Sequence, residues 1–308
     1  MQGVLKVRLV SSRLVGQERT TDRRDPERAA PATSADSRAA SALLEPEIAE
    51  DWPSDDREID APVVRTLRAA PAKAPCSQCK MRALCLPLEL TGAELDLVDK
   101  RMVAGIRKVA RGATLFRAGD PFDALFPVWT GVFKTVVASD QGLEQVTGFQ
   151  MFGELLGLGG INTGRHEVHA VALEDSQVCV VPYAGLMPLL RELPTLQKQF
   201  HRVMSREIGG DHLAMLQLGS MHAEERLAAF LLNLMHRLQA RGFSESSVLL
   251  RMSREEIGSY LGLKLETVSR TFSKFQASGL LSVQHREIHI TDPIGLQQVL
   301  APSRADAR

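Results

Sequence analysis

The sequence predicts an α+β chain with an antiparallel β-sheet sandwich or roll in its middle and a C-terminal third of helices followed by a small β wing. Three observations predict it. Between about 107 and 190, short β-rich runs are broken by glycine turns: ATLFRAGD, ALFPVWTG, VFKTVVASDQG, EQVTGFQMFGE, HEVHAVALED and SQVCVVPY. Turn signals about every eight to twelve residues mark antiparallel strands. After Pro194 comes a helical run, TLQKQFHRVMSREIGGDHLAMLQLGS, with Leu196, Phe200, Val203, Met204, Ile208, Met215 and Leu218 near one stripe. Beyond it, two helices separated by only a few residues lead into two short strands.

The C-terminal elements follow from local signals. MHAEERLAAFLLNLMHRLQA (221–240) is an amphipathic helix with Gly242 placed to end it. SVLLRMS is strand-like, and Ser253-Arg254-Glu255-Glu256 fits a capping box, so a helix starts there and ends at Gly262. LKLETVSRTFSKFQASGLL gives a second helix closed by Gly279. That spacing is a helix-turn-helix, whose second helix presents its N-terminal side chains to base edges in the DNA major groove. Leu263, Val268, Phe272 and Phe275 are expected in the core. Glu266, Thr267, Ser269, Arg270, Ser273 and Lys274 are left outside. Arg can bond guanine bidentately and Glu can accept from cytosine, so Glu266 and Arg270, one turn apart, suit neighbouring base pairs at about 1–3 kcal/mol each. Taken alone, they read better as an exposed i,i+4 pair worth about 0.2–0.5 kcal/mol, and the segment that follows shifts the balance. SGLLSVQHREIHIT, with a polar turn at His285-Arg286, reads as a wing whose Arg can reach phosphate. Lys264 stands where a Ser or Thr cap is expected. The stripe after Pro194 has two readings, core packing or the seam of a homodimer, and a two-fold DNA reader needs the latter.

Composition sets limits. The chain has 308 residues, 44% of them hydrophobic, and a formal net charge of zero, so any site for a polyanion is a local patch. No apolar stretch is long enough to span a bilayer, and Lys and Arg interrupt the N-terminal apolar positions; a soluble, unexported, cytoplasmic protein is expected, with no membrane partner. Residues 1–72 mix Arg, Asp, Glu, Ala, Ser and Pro without a period and are expected to be a disordered extension. Catalytic signatures are missing: there is no H-E-x-x-H, no nucleophile elbow and no P-loop, so the chain is not expected to be an enzyme.

The cysteines carry the remaining chemistry. Cys76, Cys79 and Cys85 form C-x2-C-x5-C, and the fourth, Cys179, lies far downstream in SQVCVVPY. In an unexported protein such a cluster reads as metal ligands rather than disulfides. Four thiolates suit tetrahedral zinc or a [4Fe–4S] cube, and three local ligands with one distant favour the cube. On its own Cys179 reads as a small buried hydrophobe.

Together these residues resemble the FNR (fumarate and nitrate reduction regulator) branch of the cyclic AMP receptor protein superfamily, over about residues 76–292. CSQCKMRALC, TLFRAGD, TGFQMFGELLG, VCVVP, SREIGGD, AEERLAAFLLNL and LGLKLETVSRTFSKFQASGLL carry the likeness. The resemblance implies a cysteine-rich cluster-binding segment (73–92), a β-roll sensor domain of the jelly-roll, cyclic-nucleotide-binding kind (93–194), a dimerisation helix (195–220), a winged helix-turn-helix (221–295) and a C-terminal tail (296–308). It implies a [4Fe–4S] cluster degraded by oxygen and held by Cys76, Cys79, Cys85 and Cys179. It implies reading of TTGAT-like palindromes by Glu266, Ser269 and Arg270, with Lys264, Thr267 and Lys274 beside them, and RNA polymerase as a partner. It also implies dimerisation through Phe200, Val203, Met204, Ile208 and Met215, with Asp211 opposing association when no cluster is bound. Ser269 stands where the cyclic AMP branch has glycine, and Leu265 where it has arginine. Lys80 follows Cys79 where relatives have serine. The alternative is a cyclic-nucleotide regulator with a structural zinc or free cysteines; Gly153-Glu154 fits its phosphate-binding signature, but Arg165 is followed by His166 instead of a hydroxyl residue.

Overall fold

Alternation of buried and exposed side chains builds two facing four-stranded sheets in the middle of the chain. In a computed structural model, residues 75–80, 82–139, 142–244 and 246–300 are described, and all lie in one compact unit, 65–308. The expectation for residues 1–72 falls outside them.

The chain enters through a 3₁₀ turn at Cys76–Gln78, then α1 (Arg82–Cys85) and α2 (Gly92–Arg101). A capping box starts α2: Thr91 accepts from Glu94 N while its own N–H donates to Glu94. Strands β1 (Gly105–Val109), β2 (Thr114–Phe116), β3 (Ala124–Thr130), β4 (Val132–Ala138), β5 (Glu144–Met151) and β6 (Leu155–Leu156) follow. A short α3 (Gly160–Thr163), β7 (His169–Ala172) and β8 (Ser176–Pro182) complete the β region. One sheet has the order β1-β8-β3-β6 and the other β2-β7-β4-β5, all neighbours antiparallel. Between them lie Leu115, Phe126, Val128, Phe133, Ala170 and Val178.

Helices α4 (Tyr183–Glu192) and α5 (Pro194–Ser220) come next, with proline opening α5, where a missing N–H costs nothing. The last segment is α6 (Ala223–Gln239), β9 (Ser247–Leu249), α7 (Arg254–Leu261), α8 (Leu265–Ala277), β10 (Leu281–Gln284), β11 (Glu287–Ile290) and α9 (Pro293–Gln298). The strands form a sheet ordered β10-β11-β9. This is a β-roll followed by a long helix and a winged helix, the expected fold class.

Three features were not read from the sequence. Helices α2 and α4 flank the β-roll; the Thr91-x-x-Glu94 box was a legible signal for the first. Helix α9 crosses the boundary expected at 295, and Leu296 is fully buried, so packing continues into the segment expected to be a tail. Finally, the β-roll and the winged helix share one core. Val136, Val146, Phe149 and Met151 of β4 and β5 join Leu227, Leu231, Ile257, Leu261 and Phe272 in a single apolar cluster. Segment boundaries drawn along a chain cannot show that the outer face of a hairpin is covered from a hundred residues away.

Candidate cysteine centre and nucleic-acid interface

The 3₁₀ turn presents Cys76 and Cys79, with Cys79 N–H donating to Cys76 O at 3.2 Å. Arg82 N–H donates to Cys79 O at 3.0 Å, so α1 follows directly and delivers Cys85. Cys179 lies on β8 opposite Ile106 of β1. Cys76, Cys85 and Cys179 all pack against one cluster that contains Leu86, Val98, Leu186, Leu189 and Leu193. Burial pushes the Cys76 and Cys85 thiols up to about 12 and Cys179 up to about 11. Neighbouring thiols add to this: Cys179, Cys79 and Cys85 act on Cys76, Cys79 and Cys179 act on Cys85, and Cys79 acts on Cys179. The structure therefore brings all four predicted cysteines into one neighbourhood. Among the described residues, no three Cys, His, Asp or Glu side chains come close enough to hold a metal ion.

The first residue that sequence reasoning missed is Asp99 of α2. Its carboxylate accepts from the Ser77 N–H at 3.0 Å and the Ser77 hydroxyl at 2.5 Å, which fixes the turn between the first two cysteines. No local pattern links positions 22 apart.

Downstream, Ser253 accepts from Glu256 N at 3.1 Å and its own N–H donates to Glu256 at 2.7 Å, the expected capping box. Gly262 ends α7 at φ 63°. At Gly258 a Cβ would stand 2.6 Å from Leu263 O, so the turn into α8 closes onto α7 only because that residue has no side chain. Val268, Thr271, Phe272 and Phe275 bury one face of α8. Glu266, Arg270, Ser273 and Lys274 are exposed, and Thr267 and Ser269 are half-buried. Glu266 and Arg270, both described, form no ion pair with each other. Lys274 instead pairs with Glu224 of α6, which engages a cation expected on the DNA-reading face. Lys264 is the N-cap and makes no side-chain cap bond. The wing is β10 and β11, turning at His285 (φ 58°).

Along α5 the expected seam divides. Leu196 is buried, and Phe200 and Val203 border a cavity of about 80 Å³ shared with Leu84, Cys85 and Gly153, so this part of the stripe serves the protomer itself. Met204 is half-buried, Ile208 is 55% and Met215 69% exposed, and Asp211 is exposed. Leu213 and Leu216, which were not predicted, add to the uncovered apolar face.

The Cyclic nucleotide-binding domain family matches residues 106–192 and the Crp-like helix-turn-helix domain family residues 225–299. The chain is 47% identical over 230 residues to the transcriptional activator protein anr of Pseudomonas aeruginosa, covering 75% of this chain and 93% of that one. It is 39% identical over 242 residues to the fumarate and nitrate reduction regulatory protein of Escherichia coli (strain K12), covering 79% and 96%. The chain belongs to the FNR branch of the Crp/Fnr regulators. The solved structure of FixK2 from Bradyrhizobium japonicum superposes with a TM-score of 0.61 at 28% identity, covering 66% of this chain and all of that one. As a Crp/Fnr regulator the protein is a DNA-binding transcription factor and not an enzyme. No helix of the described residues is long and apolar enough to cross a membrane.

Within this Crp/Fnr fold, the glutamate of the nucleotide-type signature is already engaged. Glu154 accepts from Arg237 Nε at 2.9 Å and Arg241 Nη2 at 2.7 Å. At the next signature position His166 is buried, stacked on Phe116 with ring centroids 3.7 Å apart, and its Nδ1 has no hydrogen-bond partner among the described residues.

Proposed function

We propose that this protein is an oxygen-responsive transcription regulator that holds an oxygen-labile [4Fe–4S] cluster on Cys76, Cys79, Cys85 and Cys179, dimerises when oxygen is low and controls genes at TTGAT-like palindromes. The observation that carries the reading is that Cys76 and Cys85 of one short segment and Cys179 of β8 pack against a single apolar cluster, with Cys79 close enough to act on all three thiols. The donor set fits the group. Tetrahedral zinc at about 2.3 Å from each sulfur needs sulfurs about 3.8 Å apart, whereas a cube places four irons between its thiolates and spans a wider gap. Four cysteine thiols are the ligand set such a cube takes, and Cys76, Cys79, Cys85 and Cys179 would hold it. Bound there, such a cluster would supply oxygen-reactive iron.

The chain's own residues do the rest. Raised thiols keep their protons until a metal replaces them, so loading releases protons. Ligation ties α1 to β8 and so fixes the segment that walls one side of α5 at Phe200 and Val203. The exposed Ile208, Met215, Leu213 and Leu216 are the surface a second copy covers. Asp211 lies on the same helix, where its charge and its symmetry mate's oppose association, so the dimer is marginal and switchable. Glu266, Ser269 and Arg270 then read base edges, Thr267 and Lys264 lie beside the phosphates, and RNA polymerase is the partner at the promoter.

Purification without oxygen, followed by iron and sulfide assay, visible absorption and dimer fraction before and after air, tests this. The expected result is about four irons per chain, a brown colour that air bleaches, and a falling dimer fraction. A colourless protein with one zinc that air does not change would end the proposal.

A further inference from the structure

We propose that Glu154 is a positioning residue that couples the cysteine segment to the DNA-binding domain inside one protomer. The proposal rests on the cysteine-centre reading above.

The Gly153–Glu154 turn touches the cysteine segment on one side. Gly153 has φ 81°, and a Cβ there would lie 2.5 Å from Leu84 Cδ1 and 3.1 Å from Leu84 Cβ. Leu84 immediately precedes Cys85, so the backbone of the turn is the floor on which α1 sits. On its other side the turn grips the winged helix. Glu154 takes Arg237 through Nε (2.9 Å) and Nη2 (2.5 Å), and Arg241 through Nη2 (2.7 Å). Arg237 also donates to Phe149 O at 2.5 Å, and Arg241 to Phe152 O at 2.8 Å. Glu154 in turn accepts from Met151 N at 3.0 Å, which holds the carboxylate in place. Arg237 lies in the last turn of α6 and Arg241 in the turn just beyond it; Leu227, Leu231 and Leu234 of α6 build the core that also buries Val268 and Phe272 of α8.

The pieces form a continuous mechanical path from Cys85 through Leu84, Gly153, Glu154 and Arg237 to α6. The ionic part is half-buried, so it cannot be exchanged freely for water. Without the carboxylate, Arg237 and Arg241 lose the one side chain among the described residues that hydrogen-bonds both of them, and they are held to the β-roll only through the carbonyls of Phe149 and Phe152. If the state of Cys85 biases the DNA-binding domain through this carboxylate, the reverse must also hold: releasing the arginines must loosen the cysteine segment. That reciprocity separates coupling from a merely structural role. An ion pair that only stabilises the fold would lower the melting temperature and weaken DNA binding in both states alike, leaving their ratio unchanged.

The test uses full-length protein and Glu154→Gln, which keeps the shape and removes the charge, with Glu154→Asp as the charge-retaining variant. Affinity for a duplex carrying a TTGAT-type palindrome is measured without oxygen and after air. In the wild type the two differ by about fivefold or more. With affinity expressed per dimer, so that the change in dimer fraction is removed, the ratio in Glu154→Gln is expected to collapse toward one at unchanged iron content, and Glu154→Asp is expected to keep most of it. In cluster-free protein, alkylation of Cys85 followed by mass spectrometry is expected to quicken several-fold in Glu154→Gln and in Gly153→Ala. Full retention of the affinity ratio in Glu154→Gln, or an unchanged Cys85 rate, overturns the proposal. Failure of the sensor reading looks different: the wild type itself would hold no iron, and the alkylation arm would still decide the role of Glu154.

Discussion

Ser77 donates both its backbone N–H and its hydroxyl to the carboxylate of Asp99, at 3.0 and 2.5 Å, tying the turn that carries Cys76 and Cys79 to helix α2. The contact acts on the ligand-bearing backbone without touching sulfur. Partners of this kind commonly set metal affinity by about 10- to 100-fold. Asp99→Ala is therefore expected to lower iron retention by about 10-fold or more while the far-ultraviolet spectrum stays unchanged. In cluster-free protein, Cys76 is expected to be alkylated faster than in the wild type. Equal iron retention would show that α2 is packing only.

Cys179 offers a cleaner separation of fold from centre. It is half-buried in β8 and its backbone pairs with Ile106, so Cys179→Ala keeps the strand and is expected to cost only about 1 kcal/mol of stability. It is expected to abolish the bleachable absorption, leaving three thiols. A variant that keeps full iron and sulfide would remove this residue from the ligand set.

Arg270 is exposed one turn beyond Glu266 on α8. Arg270→Ala is expected to lose about 1–3 kcal/mol of discrimination at one base pair of the half-site while affinity for unrelated duplex falls little. A panel of half-site variants measured at fixed salt checks this. A uniform loss across the panel would mean that the side chain contacts phosphate instead.

His166 gives a pH dependence. Burial lowers its pKa, partly countered by Asp120 and Asp123. Above the ordinary histidine value near 6.5, folded and unfolded chains are both neutral and stability is complete. As pH falls below that value the unfolded chain takes up a proton that the folded chain resists, so stability declines until the pH reaches the lowered folded value. Melting temperatures between pH 7.5 and pH 5 are expected to fall less for His166→Phe, which keeps the ring against Phe116. Parallel curves would show that this imidazole is not the group responsible.

Local chemistry made much of the molecule legible. Capping at Ser253 and Glu256, glycines at 262 and 279, the polar wing turn at His285 and alternating strands each depend on neighbours a few residues away, and each stands where the pattern placed it. The missing cap at Lys264 was legible for the same reason. The division of α5 was not: one stripe reads identically whether Phe200 meets its own β-roll or Met215 meets a second copy.

By itself, then, the sequence determined the order and kind of the elements, the helix-turn-helix and the spacing of the cysteines, because periodicity, caps and motif spacing are written in adjacent residues. Only the tertiary structure decided that Asp99 anchors the first two cysteines, that Glu154 is held by Arg237 and Arg241, and that β5 and α7 share a core. Those pairings join positions 22 to more than 100 residues apart. They arise when burying apolar surface brings distant segments together, and no local preference records which charged side chain will find itself opposite which.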